Sequence, residues 1–252
     1  MTEEKKKPFF VNKHGTVYGE TVSTPIGRIV YPSIVAPNTK FAQPGQLGTY
    51  GFELLIPKRE SPGFSPKILE YNKSMLRQYK AGAERTIAAH AKAKLFNPLG
   101  ALRDGDKMLD DEGNPKKLYA GYYVLRCTAR LNSQEDLEKK RIKTVKIGFA
   151  GKSEPVDAGV VAGGMLVRVF GQLLASTPPT GPVCSLQPHV VQIIGDDGVR
   201  LGGGRVDPVA ALDTQTVPDS LLEELLATPG VEGSASGDAA GIEDDDDDLV
   251  AF

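Results

Sequence analysis

LYAGYYVLRCTARL, residues 118–131, decides how this chain is read. Successive side chains of a β-strand point to opposite sides, so alternation sorts the stretch into two faces. Tyr123, Leu125, Cys127, Ala129 and Leu131 form an apolar set suited to a core. Tyr122, Val124, Arg126, Thr128 and Arg130 form the other. A ring, two guanidiniums and a hydroxyl on one side are more than a merely solvated face requires.

Neighbouring segments share the period of two. PIGRIVYPSIV (25–35) is β-branched, with Pro32 marking an edge or a bulge. TYGFELLIPK (49–58) alternates Tyr50, Phe52, Leu54 and Ile56. KTVKIGF (143–149) turns Val145, Ile147 and Phe149 inward and Lys146 away. GGMLVRVFGQLLAS (163–176) turns Met165, Val167 and Val169 inward, leaving Arg168, Phe170 and Gln172 outside. PVCSLQPHVVQIIG (182–195) is either a strand pair or one strand broken at Pro188.

Between the second and third of these segments the period changes to that of a helix. Ile68, Tyr71, Met75, Tyr79, Ala83 and Ile87 recur at three- and four-residue steps behind Pro66. A long amphipathic helix is predicted from 66 to about 94, with a bend near Gly82. Its other face, with Lys73, Arg77, Lys80, Arg85 and Lys92, is read as solvated. The order β-β-α-β-β-β-β with many turn signals predicts an all-β chain with an inserted helix, a small antiparallel barrel.

The two ends differ from this body. Residues 1–22 are polar and are read as a flexible segment, and 23–217 as the domain. After Val217 the composition shifts. Ser220 and Glu223 have capping-box spacing ahead of a short helix near 219–227, and residues 229–248 are Gly, Ala, Ser and acid, expected to be disordered. The stretch 218–252 holds eleven acidic residues and no Lys or Arg. Of 32 Asp and Glu, 21 therefore remain in residues 1–217 against all 30 Lys and Arg, a net of +9. A basic body with an acidic tail points to a polyanionic partner.

Several classes fall away. No apolar run approaches the 18 or so residues of a membrane span, and the N-terminus lacks the apolar core of a secretory signal. Cys127 and Cys184 lie 57 positions apart in apolar runs and are read as buried thiols of a reducing compartment. Neither has a second Cys or His nearby, so no metal and no cofactor is expected. His14, His90 and His189 are scattered and form no catalytic set. Asp104, Asp106, Asp110 and Asp111 approach a calcium loop, but the register breaks at Met108. LGGGR (201–205) lacks the lysine of a phosphate loop. No catalytic residue is assigned, and the chain is expected not to be an enzyme.

Nucleic-acid binding has better support. The outward candidates are Tyr122, Arg126, Arg130, Lys146, Arg168 and Phe170, with loop residues Lys116, Lys117 and Lys152 extending the groove or simply solvated. Cations pair with phosphates, and rings stack on unpaired bases, which favours single strands. The alternative is that Tyr122 and Phe170 pack under the helix.

In order, TPIGRIVYPSIVAP, TYGFELLIPK, LRDGD, LYAGYYVLRCTARL, GGMLVRVFGQLLA and VCSLQPHVVQIIGDDGVRLGGGR resemble segments of tailed-bacteriophage single-stranded DNA-binding proteins, over about residues 24–206. The resemblance implies an oligonucleotide/oligosaccharide-binding (OB) fold, an antiparallel five-stranded Greek-key barrel. It implies sequence-independent binding of unpaired DNA in phage replication, recombination and repair, in the cytoplasm of an infected bacterium. It also implies a homodimer, and a tail that contacts replication proteins such as a polymerase or helicase. Two departures are visible: the common barrel carries its helix between the third and fourth strands, whereas here the long helix falls between the second and third, and the region 178–206 is longer than a minimal barrel needs.

The tail ends GIEDDDDDLVAF. Asp244, Asp245, Asp246, Asp247 and Asp248 imitate the charge density of a phosphate backbone and would compete with DNA for a basic groove. Leu249, Val250 and Phe252 would anchor in a partner's apolar pocket. Two alternatives remain: a tail that only maintains solubility, and a strand-annealing or adaptor protein acting mainly through its tail.

Overall fold

The computed structural model describes residues 9–12, 15–40, 42, 44–97, 101–147, 152–178 and 181–201. The strands are β1 (Phe10–Val11), β2 (Val17–Ser23), β3 (Gly27–Asn38), β4 (Gly48–Pro57), β5 (Leu102–Asp104), β6 (Tyr122–Leu131), β7 (Lys143–Ile147), β8 (Ser153–Pro155), β9 (Leu166–Ser176) and β10 (Val183–Gly195). The helices are α1 (Pro66–Ala88) and α2 (Gln134–Lys139). The short helix expected near 219–227 and the acidic tail lie outside the described residues. So do His14 and Phe149.

The strand count corrects the expectation of five: among the described residues ten strands join in one sheet. Pairing runs β9–β3–β4–β6–β10 and returns through β9–β10, so these five strands form a circuit. The remainder are appended at its edges. β2 pairs with β9, β1 with β2, β5 with β6, β7 with β10, and β8 with β7. The sheet is not antiparallel throughout either, because β10 runs parallel to β6 and to β7. Apart from β7, which falls within the segment 143–149, the appended strands escaped the pattern because they are short or wet. In β2, within the stretch read as flexible, only Val17 is buried, and Gly19 and Glu20 break the alternation.

β10 resolves its open reading as one strand with a register shift between Pro188 and Val190, where proline cannot donate to the ladder. β3 likewise loses register between Val30 and Ser33, around Pro32. α1 opens with Pro66 behind an N-cap, the Ser65 hydroxyl accepting from Ile68 N at 3.5 Å. It ends at Ala88, short of the expected 94. There the Nδ1 atom of His90 accepts from Lys92 N at 3.0 Å, and its ring packs on Phe96 with centroids 4.7 Å apart. A side chain has captured a backbone donor that the helix would have used.

Ile68, Met75, Tyr79, Ala83 and Ile87 are buried, as the periodicity predicts, and α1 lies on β2 and β9. The approach is close. A Cβ on Gly19 would sit 2.0 Å from Thr86 Oγ1, so only glycine fits beneath the helix there. The main core joins the inner faces of the circuit to Tyr79, Ala83 and Ile87. Cys127 and Cys184 are free thiols in that core, and burial pushes Cys184 up to about 12. Neither is ionised at neutral pH.

One buried helix residue is polar. Asn72 Oδ1 accepts from Ile26 N at 2.7 Å and Asn72 Nδ2 donates to Ile26 O at 2.8 Å, closing a two-bond clamp between α1 and the chain entering β3. Asn72→Ala strands both backbone groups in the interior. The expected cost is roughly 2–4 kcal/mol, seen as a lower urea midpoint at unchanged slope.

Candidate nucleic-acid interface

The site is built on β6, paired with β4 along its whole length from Gly48↔Leu131 to Pro57↔Tyr122. Leu125, Cys127, Ala129 and Leu131 are at most 1% exposed, so the inner face is as expected. Arg126 and Arg130 are exposed and Thr128 half-buried on the other face. Among the described residues neither arginine has an ion-pair partner. Arg126 lies directly across from Glu53 of β4, and Glu53 from Val30 of β3.

Glu53 is already engaged. Arg103 of β5 donates to it at 2.7 Å, and the Tyr119 hydroxyl donates at 2.6 Å. Burial, reinforced by that carboxylate, raises the Tyr119 phenol well above its ordinary range, so it stays a donor. One carboxylate thus faces three cationic or donor groups, and the neighbourhood keeps a positive excess. Below Arg130, Lys140 Nζ donates to the Arg130 carbonyl at 3.0 Å and pairs with Asp136 at 3.1 Å, bracing the end of the strand.

The other sequence candidates do not join this face. Tyr122 is half-buried, its ring tilted edge-on to Phe64 with centroids 6.5 Å apart, in contact with two small clusters. The outer side of the sheet is covered at this point by Met108, Leu118 and Tyr119 of the 105–121 loop, which explains why alternation misplaces it. Lys116 and Lys117 lie in that loop, half-buried and exposed. Arg168 and Phe170 are together on β9, with the guanidinium 4.9 Å from the ring centroid. Arg168 Nε and Nη2 donate to Gln192 Oε1 at 3.1 and 2.8 Å, and Nη1 to the Tyr71 hydroxyl at 2.7 Å. This second patch sits under α1 and is separated from β6 by β10.

Lys146 is displaced further. Gln192 is opposite both Arg168 and Val145, while Ile193 is opposite Lys146 and Val167. Residues directly opposite share a face, so Lys146 is exposed on the reverse of the sheet from Arg168. The expected inward set of β7 is also corrected: Thr144 is the buried residue, and Val145 and Ile147 are half-buried. Lys152 is exposed beside β8 at the sheet edge.

The acidic loop has a different use from the one its spacing suggested. Lys58 Nζ bonds both Asp104 and Asp106 and lies 4.8 Å from the ring centroid of Tyr123. Hydrogen bonds from Lys58 hold both carboxyls below their ordinary value. Asp110 accepts from Glu112 N and Asn114 N and closes a turn. No group of three or more His, Cys, Asp or Glu among the described residues is placed to hold a metal ion. Among them no helix is long and apolar enough to cross a membrane.

Alternation also missed Tyr31. The residue is 52% exposed and has a φ of 50°, alone in that among the described non-glycine residues. Its only sequence signal is the following Pro32.

No family model matches the chain, and no curated protein matches it. Among solved structures, the chain is similar to a C-terminally truncated single-stranded DNA-binding protein from bacteriophage Enc34, at 16% identity and a TM-score of 0.46, over 76% of this chain and 96% of that one. It is similar to the Enc34 protein in complex with ssDNA at 18% identity and a TM-score of 0.43, over 77% and 94%. A third is gp2.5, a single-stranded DNA binding protein encoded by bacteriophage T7, at 16% identity and a TM-score of 0.38, over 77% and 94%. All three are phage single-stranded DNA-binding proteins, the family that the sequence segments resemble.

Proposed function

We propose that this chain is a non-catalytic protein that coats single-stranded DNA without sequence preference. The observation that carries the proposal is the pair of open guanidiniums, Arg126 and Arg130, on the outer face of a strand that is sealed into the core on its other side. A rigid strand holds two cations at a fixed spacing, and no carboxylate among the described residues neutralises them. Phosphates of a flexible single strand can adapt to that spacing. The five-strand circuit is read as an OB-type barrel, with β6 and β4 presenting the strand-binding surface.

The tail's part follows from its charge. Asp244 through Asp248 compete with phosphates for the same cations, and the terminal Leu249, Val250 and Phe252 are offered to a replication partner once DNA displaces them. The setting would be replication, recombination and repair of phage DNA in the host cytoplasm, with a homodimer as the working form.

The test is affinity for single-stranded, double-stranded and RNA oligomers across a salt series, with and without residues 243–252. Preference for single-stranded DNA supports the proposal, and equal binding of duplex and single strand refutes it. Truncation is expected to tighten single-strand binding several-fold at about 50 mM salt, with the gain fading toward 0.5 M as screening shortens electrostatic reach. Equal affinity of both forms at every salt concentration removes the competing tail.

A further inference from the structure

We infer that Tyr31 is the stacking platform of this face, holding one unpaired base against its ring. The inference rests on the proposed single-strand reading and assigns it a residue.

Alternation along β3 sends Tyr31 into the core. Ile29 and Ile34 on either side are 0% and 1% exposed, and both belong to the main cluster. Instead the ladder opens. Val30 pairs with Glu53 and Ser33 with Gly51, leaving Tyr31 and Pro32 in the break between. At Tyr31 the chain takes a φ of 50°, a conformation that side chains with a Cβ avoid. A β-bulge of this kind re-aims a side chain. Here the result is a phenol ring brought out to 52% exposure on a strand where Ile29, Val30 and Ile34 are sealed.

Glycine would take this backbone without strain, and burying the tyrosine would remove more apolar surface from water. The fold does neither. Strain of this sort, retained with an exposed ring, marks a position where the ring itself is used. The other strongly exposed aromatic among the described residues, Phe10, is 65% exposed but packs on Tyr18 with centroids 5.5 Å apart. Tyr31 has no ring partner among the described residues.

Its surroundings fit a nucleotide. Val30, the residue before it, begins the cross-strand row Val30–Glu53–Arg126. Glu53 is neutralised by Arg103 and held by a hydrogen bond from the Tyr119 hydroxyl, so this carboxylate repels a phosphate little. A base on Tyr31 places its backbone toward Arg126. A ring can stack in this way only on a base freed from its pair, so the ligand is a single strand.

The chain contains no tryptophan. Tyr31→Trp therefore installs a single indole whose emission reports stacking directly. Binding of an oligo(dT) strand is expected to quench it strongly, whereas a duplex of the same length leaves it unchanged. Tyr31→Ala should lower oligo(dT) affinity about 5- to 150-fold and Tyr31→Phe less than about threefold. Tyr31→Gly should lose as much affinity as Tyr31→Ala while melting no earlier than wild type, because glycine relieves the φ. That variant separates a lost ring from a damaged fold. Absence of quenching on binding, or wild-type affinity in Tyr31→Ala and Tyr31→Gly, overturns the inference and leaves single-strand binding intact. Failure of the wild-type protein to bind oligo(dT) removes both.

Discussion

Arg28→Ala is expected to cost about 3–5 kcal/mol, the largest loss from any single replacement considered for this chain. Arg28 is 2% exposed at the start of β3. Its Nη1 donates to Gly164 O and to Asp197 Oδ1, each at 2.8 Å, and its Nη2 to Pro62 O at 2.6 Å and Asp197 Oδ2 at 2.5 Å. The guanidinium also lies 5.3 Å from the Phe64 ring centroid. One side chain thereby ties together the turn before α1, the turn before β9 and the segment after β10. Truncation leaves the Asp197 carboxylate nearly buried without a counter-charge and two carbonyls without a donor. Arg28→Lys does not rescue it, since an ammonium cannot span the fork. The double variant Arg28→Met, Asp197→Leu should lose less than either single change, because most of the cost belongs to the abandoned partner. Urea unfolding of wild type, Arg28→Met, Asp197→Leu and the double variant measures the coupling, and simple additivity would show the pair to be uncoupled.

The same pair makes a pH dependence. The Arg28 hydrogen bond holds the Asp197 carboxyl below its ordinary value. A carboxyl depressed in the folded state contributes stability that is full above its unfolded pKa of about 3.9 and is lost as pH falls through the folded value. The gap between wild type and Arg28→Met should therefore be constant from about pH 5 to 8 and close below pH 4. A gap that closes at neutral pH instead would assign it to some other group.

The reach of alternation is visible in single residues. On β6 it placed every buried side chain from Leu125 to Leu131, because that strand is central and has one dry face. On β7 it failed, because a short strand next to the sheet edge, covered there by only three residues of β8, is half-wet on both sides, and a threonine went inward. Arg28 and Asn72 were invisible for a different reason. Hydrophobic patterning sends polar residues outward, and what holds these two inside are partners 169 and 46 residues away. The order of the long strands and the helix was legible from the segments in sequence, whereas the extra short strands carried too few buried residues to register. Arg126 and Arg130 followed from the two-residue period alone. Tyr31 did not, since the sign of φ at a bulge is set by how β3 meets β4, and alternation assigns it to the opposite side.

Arg126→Ala combined with Arg130→Ala should weaken single-stranded DNA binding on the order of 10- to 100-fold at low salt, with little effect on the fold. Both side chains are exposed and unpaired among the described residues, so the stability change should stay within about 0.5 kcal/mol. The decisive quantity is the salt slope. Each phosphate neutralised on a single strand contributes about 0.7 to the slope of log affinity against log salt. Loss of two guanidiniums should flatten the slope by about 1.4, and the affinity gap should narrow as salt rises. Lys146→Ala with Lys152→Ala removes the same charge from β7 and from the residue before the edge strand β8 and should change the slope far less. That contrast separates a local groove from a general positive field, since a field would respond equally to either pair. An unaltered slope in the β6 variant would move the contact to the patch under α1, where Arg168 and Phe170 are the next residues to replace.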